Sequence, residues 1–125
     1  MSKSLVGEKS FDSALEIISL YKRLIEEREF ILSKQLLRSG TSIGANVEEA
    51  GAAQSRKDFL SKMSIASKEA RETQYWLRLL QQSQITSIDV SSTLENATEL
   101  VRMLTSIVKS TANSTQNLKL KTENS

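Results

Sequence analysis

The side chains able to do chemistry in this chain are carboxylates, amines, guanidinium groups and hydroxyls, because its 125 residues include no His and no Cys. Without His the commonest general base and metal ligand is missing; without Cys there is neither a thiol nucleophile nor a disulfide framework. Ser39 and Ser42 beside Asn46, Glu48 and Glu49 invite a hydrolytic reading. A serine nucleophile, however, needs a positioned base and an oxyanion hole, and nothing in the pattern supplies them. Glu16, Glu26, Glu49, Glu69 and Glu72 could build a carboxylate metal site in a helical bundle, yet the di-iron arrangement uses Glu-x-x-His and cannot be completed here. These residues predict no enzyme, and no cofactor, metal or small-molecule substrate is expected.

A different chemistry is better represented. Lys57, Lys68, Arg71 and Arg78 fall on one sector of a helical segment, with Tyr75 among them and no acidic residue in the sector. From Ser55 to Gln82 there are six basic and three acidic side chains, a net of +3, so the rest of a chain of net charge +2 carries −1. A one-sided basic stripe with an interleaved aromatic is the footprint of phosphate contact, which makes these five residues the candidates for binding RNA or DNA. The competing reading is an ordinary solvated helix face, or a face that docks an acidic protein partner.

The elements that position these groups are helices. No Pro, only four Gly and abundant Leu, Ile, Ala, Glu, Lys and Gln leave nothing to interrupt them. Four are expected, over about residues 11–28, 31–53, 55–82 and 89–112, with short connections that imply an all-α, up-and-down antiparallel four-helix bundle as one domain over 1–112. The first presents Phe11, Leu15, Ile18, Tyr21 and Ile25 on one face, with Ser10 as its N-cap. The third, expected to be the longest, opens at Ser55, where Ser-Arg-Lys-Asp resembles a capping box. Asp89 is the expected N-cap of the fourth, and the polar segment 113–125 reads as a disordered tail. No stretch approaches the about 18 apolar residues of a membrane span, and the N-terminus lacks a signal-peptide core, so the protein is expected to be cytoplasmic.

Two of these helices carry more than a core stripe. In the second, Gln35, Arg38, Ser42, Asn46 and Glu49 occupy a sector of about 80° beside the apolar Leu32, Leu36, Ile43, Val47 and Ala50, so the polar stripe borders a packing seam. Arg38, Asn46 and Glu49 are expected to form a hydrogen-bonded network there, with Ser42 and Asn46 bonding to facing helices. Gly40 and Gly44 within this helix imply either close approach of another helix or a local kink. In the third, Ile65, Trp76 and Leu79 gather about 100–150° from the core stripe, an apolar surface suited to a subunit interface or to one side of a broad core. Glu69 and Glu72 beside it are expected to find Arg or backbone N–H partners.

At these positions the chain resembles the bacterial four-helix-bundle proteins encoded within intervening sequences of large-subunit ribosomal RNA genes. Gln35, Arg38, Ser39, Ser42, Ile43, Asn46 and Glu49 match the family pattern, with Val47 for its usual Ile; Phe59, Leu60, Ala66 and Glu72 extend the match. Gly44 stands where the family often has Pro, and Ala50 where it usually has Gly. The resemblance implies the same bundle and assembly as a homo-oligomer, most specifically a pentameric ring. A similar fold in the accessory protein of diversity-generating retroelements, a basic pentameric barrel, implies nucleic-acid binding by analogy.

Overall fold

The computed structural model describes residues 4–123, with side chains placed through residue 117. It has four helices: α1 (Leu5–Glu26), α2 (Leu32–Gly51), α3 (Arg56–Ser83) and α4 (Ser91–Glu123). Contacts join α1 to α2, α2 to α3, α3 to α4 and α4 back to α1, so α1 and α3 stand diagonally. Every neighbouring pair is antiparallel. Across α1 and α2, Ile17 meets Gly40 and Ser10 meets Gly44; across α2 and α3, Ser39 pairs with Thr73 and Glu49 with Lys62. Gln74 meets Thr98 and Arg71 meets Thr105 between α3 and α4, while Lys9 pairs with Glu99 between α1 and α4. The architecture is an up-and-down four-helix bundle.

Its core has two apolar halves. One joins Val6, Ile43, Val47, Met63, Ala66, Leu100 and Leu104; the other joins Ile17, Leu20, Leu24, Leu36, Leu77, Leu80, Val90 and Ala97. Between them on three of the helices lie short or polar side chains, all buried: Ser10 and Ser13 on α1, Ser39 and Gly40 on α2, Thr73 on α3. Small residues at this waist let α1 and α2 approach closely enough that a Cβ built on Gly40 would sit 2.5 Å from Ile17 Cδ1. Close approach is therefore the reason for the glycines, and α2 runs unbroken past both. The one polar pair at the waist is satisfied: Thr73 Oγ1 donates to Ser39 Oγ at 2.9 Å.

Several expectations are corrected. The core face of α1 is Val6, Ser10, Ser13, Ile17, Leu20 and Leu24. Phe11 and Leu15 instead point to solvent, 61% and 53% exposed, with Ile18, Tyr21 and Ile25 half-buried beside them. The N-cap of α1 is Ser4, whose hydroxyl accepts from Gly7 N at 3.0 Å; Ser10 is buried one helical turn inside and donates to Gly7 O. The longest helix is α4, with 33 residues to the 28 of α3. It continues through the segment expected as a tail, up to Glu123, because no Gly or Pro stops it and Arg56 Nη1 holds Ser114 Oγ at 2.9 Å. The last two residues of that expected tail lie outside the described residues.

The helix ends use both foreseen and unforeseen caps. Ser55 accepts from Asp58 N at 3.0 Å, and Asp89 accepts from Ser91 N at 2.9 Å, with the Asp89 carboxyl held below its usual range chiefly by the Ser91 hydroxyl. No capping side chain stands next to Leu32, and buried Glu29 does that work from three residues upstream. Its carboxylate accepts from Leu32 N at 2.9 Å and Ser33 N at 2.6 Å, while Ser33 Oγ returns a bond to Glu29 O. Glu29→Ala is expected to cost about 1–2 kcal/mol, at the upper end for a lost cap, because the freed N–H groups are buried. A denaturant midpoint equal to that of the unchanged protein would show that water replaces the carboxylate at no cost.

Candidate functional site

The outward ridge of α3 is formed by Lys57, Ser61, Ser64, Lys68, Arg71, Tyr75, Arg78 and Gln82, stepping three or four residues at a time, and every one is exposed. All five candidate nucleic-acid residues thus share one face, which contains no carboxylate. Tyr75 is 51% exposed and rests edge-on against Trp76, ring centroids 5.2 Å apart at 66°. Among the described residues none of Lys57, Lys68, Arg71 and Arg78 makes an ion pair, though Arg71 Nη2 donates to Thr105 Oγ1 at 3.3 Å. At 1.5 Å per residue the ridge runs about 37 Å from Lys57 to Gln82, with the three cations Lys68, Arg71 and Arg78 inside about 15 Å.

Beside the ridge, on the flank turned toward α2, lies the polar seam. Arg38 reaches across from α2: its Nη2 donates to the Glu72 carboxylate, and its Nη1 stands 3.2 Å from Glu69 Oε2 as an ion pair outside hydrogen-bond geometry. The Arg38 hydrogen bond holds the Glu72 carboxyl below its usual range against the opposing effect of burial, and Glu72 in turn raises Arg38. The buried Trp76 N–H turns toward the same carboxylate and lowers it further without completing a normal hydrogen bond. The expected network is redistributed. Arg38 joins Glu69 and Glu72, whereas Ser42 Oγ donates to Arg38 O at 2.7 Å and Asn46 Nδ2 to Ser42 O at 2.9 Å, both within α2. Glu49 pairs with Lys62 at 3.0 Å, and Gln35 is exposed.

The seam is a structural clamp between two helices, and its strength depends on pH in a definite direction. Glu69 has a side chain only 13% exposed, so Arg38→Met leaves it with no counter-charge and is expected to cost about 1–2 kcal/mol at neutral pH, more than an open surface pair. A carboxyl lowered in the folded state contributes stability above the carboxylate range and loses it as pH falls through the folded value. The deficit of Arg38→Met should therefore shrink between about pH 6 and pH 3. Urea denaturation of both proteins at the two pH values checks this, and an unchanged deficit would remove Glu69 and Glu72 from the explanation.

The three interface candidates are not equivalent. Ile65 is 39% exposed, Leu79 is half-buried, and Trp76 packs onto the apolar half that contains Leu77 and Leu80. What the sequence reading passed over is the α1 ridge of Phe11, Leu15 and Ile18, and Thr73 as the partner of Ser39. A second apolar stripe was visible in α1, but the reading assigned it to the core. Among the described residues no cluster of acidic side chains could hold a metal ion, and no helix is long and apolar enough to cross a membrane.

Comparison with known proteins places this geometry. A protein of unknown function from the S23 ribosomal protein family of Bacteroides thetaiotaomicron, solved by crystallography, superposes with a TM-score of 0.79 at 51% sequence identity, covering 84% of this chain and 99% of that one. No curated protein matches the chain. The profile of the 23S rRNA-intervening sequence proteins matches residues 2–106, which span all of α1, α2 and α3 and the packed part of α4. With the four helices and the seam residues of α2 and α3 all inside that match, the chain belongs to the 23S rRNA-intervening sequence protein family.

Proposed function

We propose that this protein is a non-enzymatic bundle that assembles with copies of itself and binds RNA or DNA along the outer ridge of α3. The observation that supports it is the composition of that ridge: four cations and an exposed Tyr on eight consecutive outward positions, with no acid among them. Cations free of ion pairs are free to neutralise phosphates, and counterions released in that exchange supply the binding free energy. A tyrosine edge in the middle of the ridge offers a surface on which an unpaired base can stack. Assembly, pentameric by the family resemblance, repeats the ridge on each copy and turns a modest net charge of +2 per chain into a multivalent basic surface.

The test is light scattering of the purified protein with and without a short structured RNA, at low and at moderate salt. An oligomer that gains mass with RNA at low salt and releases it at moderate salt is the expected result. An oligomer indifferent to RNA at both salts would overturn nucleic-acid binding and favour a scaffold whose ridge docks an acidic protein.

A further inference from the structure

We propose that the outer ridge of α1 and the apolar flank of α3 are the two halves of one contact between copies of this chain, the α1 ridge of each copy seated against the α3 flank of the next. The inference rests on the self-assembly proposed above and says which surfaces perform it. Its starting point is the misfit between α1 and the core. Phe11 and Leu15, exposed 61% and 53%, stand with half-buried Ile18 on the side of α1 away from Val6, Ile17 and Leu24. Three large apolar side chains in a row at helical spacing form a patch that a second surface must cover.

The cover is supplied by the fold itself. α1 and α3 are diagonal in the bundle, so their outward faces look in opposite directions and no chain can satisfy its own patch. The α3 flank offers Ile65, 39% exposed, and Leu79. Next to it Ser42 and Asn46 fold back onto their own helix and reach no further, leaving room for larger side chains. Projecting Phe and Leu side chains on one face and short ones on the other are complementary, not alike.

Charge agrees. Glu8 and Asp12 flank Phe11 on α1, and Lys68 lies one turn beyond Ile65 on α3. All three are exposed, and none makes an ion pair among the described residues. Unlike, oppositely directed surfaces produce head-to-tail association, which closes into a ring when the rotation allows it. Arg71 and Arg78, on the side of the α3 ridge nearer α4, stay outside such a contact.

Complementation between two defective proteins tests the pairing. Leu15→Glu spoils only the α1 half, and Ile65→Glu only the α3 half. Each alone is expected to lower the mass by light scattering to that of a single chain, with helical circular dichroism unchanged. Mixed in equal amounts, they should form one-to-one heterodimers, since the intact α1 ridge of the Ile65→Glu chain meets the intact α3 flank of the Leu15→Glu chain. Phe11→Gln paired with Ile65→Gln repeats the experiment with milder side chains should either charged variant fail to fold.

A mixture that stays monomeric overturns the pairing. So does an Ile65→Glu protein that keeps the unmodified mass while Leu15→Glu does not, the result expected of α1 packing on α1. A monomeric unmodified protein would instead overturn self-assembly itself, so the two failures are distinguishable.

Discussion

Replacing Gly40 by Ala is expected to destabilise the protein, and replacing Gly51 by Ala to stabilise it, although both glycines lie in α2 and neither has a positive φ. In an exposed helix the exchange gains up to about 1 kcal/mol, because Ala loses less backbone freedom on folding. At Gly51 nothing lies within 4 Å of the added methyl, so most of that gain should appear as an increase of about 0.5–1 kcal/mol. At Gly40 the methyl would meet Ile17 Cδ1 at 2.5 Å and Cγ2 at 2.9 Å.

Ile17 cannot yield easily. It is fully buried, and its β-branch fixes Cγ2 wherever the α1 backbone stands. Overpacking of this kind costs about 1–3 kcal/mol for one methyl, so the net loss in Gly40→Ala is about 1–2 kcal/mol and in Gly40→Val about 3 kcal/mol. Ile17→Val removes the nearer of the two atoms, and in that background the cost of Gly40→Ala should fall. Thermal melts of the four proteins decide it. Equal and favourable shifts for Gly40→Ala and Gly51→Ala would mean that the α1–α2 contact at the waist is loose enough to admit a methyl.

That waist also explains which parts of the molecule could be read from the sequence. α2 and α3 were legible because their core stripes are strongly apolar and Ser55 marks a start by a local bond that needs no tertiary partner. α1 misled because its true inward stripe contains Ser10 and Ser13, admitted to the core by the approach of Gly44 and Gly40, while the more hydrophobic Phe11, Leu15 and Ile18 stripe faces out. Periodicity ranks stripes by hydrophobicity, and the ranking inverts when backbones come close at one face and another surface remains to be covered.

The α3 ridge and the seam differ in the same way. Exposure of the ridge follows once the core stripe of one helix is known, so Lys57, Lys68, Arg71, Tyr75 and Arg78 could be placed together from spacing alone. The partners of Arg38 could not, because Glu69 and Glu72 lie on another helix, and which pair they form depends on the antiparallel register of α2 against α3. Likewise the polar stretch after Ala112 continues as helix because α4 is already nucleated and packed upstream; composition alone weighs that segment as though it stood by itself.

The largest functional effect should come from reversing Lys57, Lys68, Arg71 and Arg78 to Glu in one protein. If all four neutralise phosphates, affinity for duplex falls with salt at a logarithmic slope of up to about −3.6, which amounts to about a hundredfold between 50 and 200 mM salt. The reversed ridge would repel the backbone, so both the affinity at low salt and that slope should be lost. Stability should change by only about 0.5 kcal/mol in either direction, since the four side chains are exposed and form no ion pair among the described residues; the Arg71 bond to Thr105 is the main interaction removed. A near-normal melting temperature with lost binding therefore separates a binding face from a folding defect. Tyr75→Ala adds a second axis, because base stacking contributes about 1–3 kcal/mol to single-strand binding, whereas a ridge that touches only duplex phosphates has little use for the ring. If Tyr75→Ala weakens single-strand binding and spares duplex binding, the ridge reads unpaired bases. Unchanged affinity and slope in the fourfold reversal would leave the ridge a solvated surface and move the search for a partner to the apolar faces of α1 and α3.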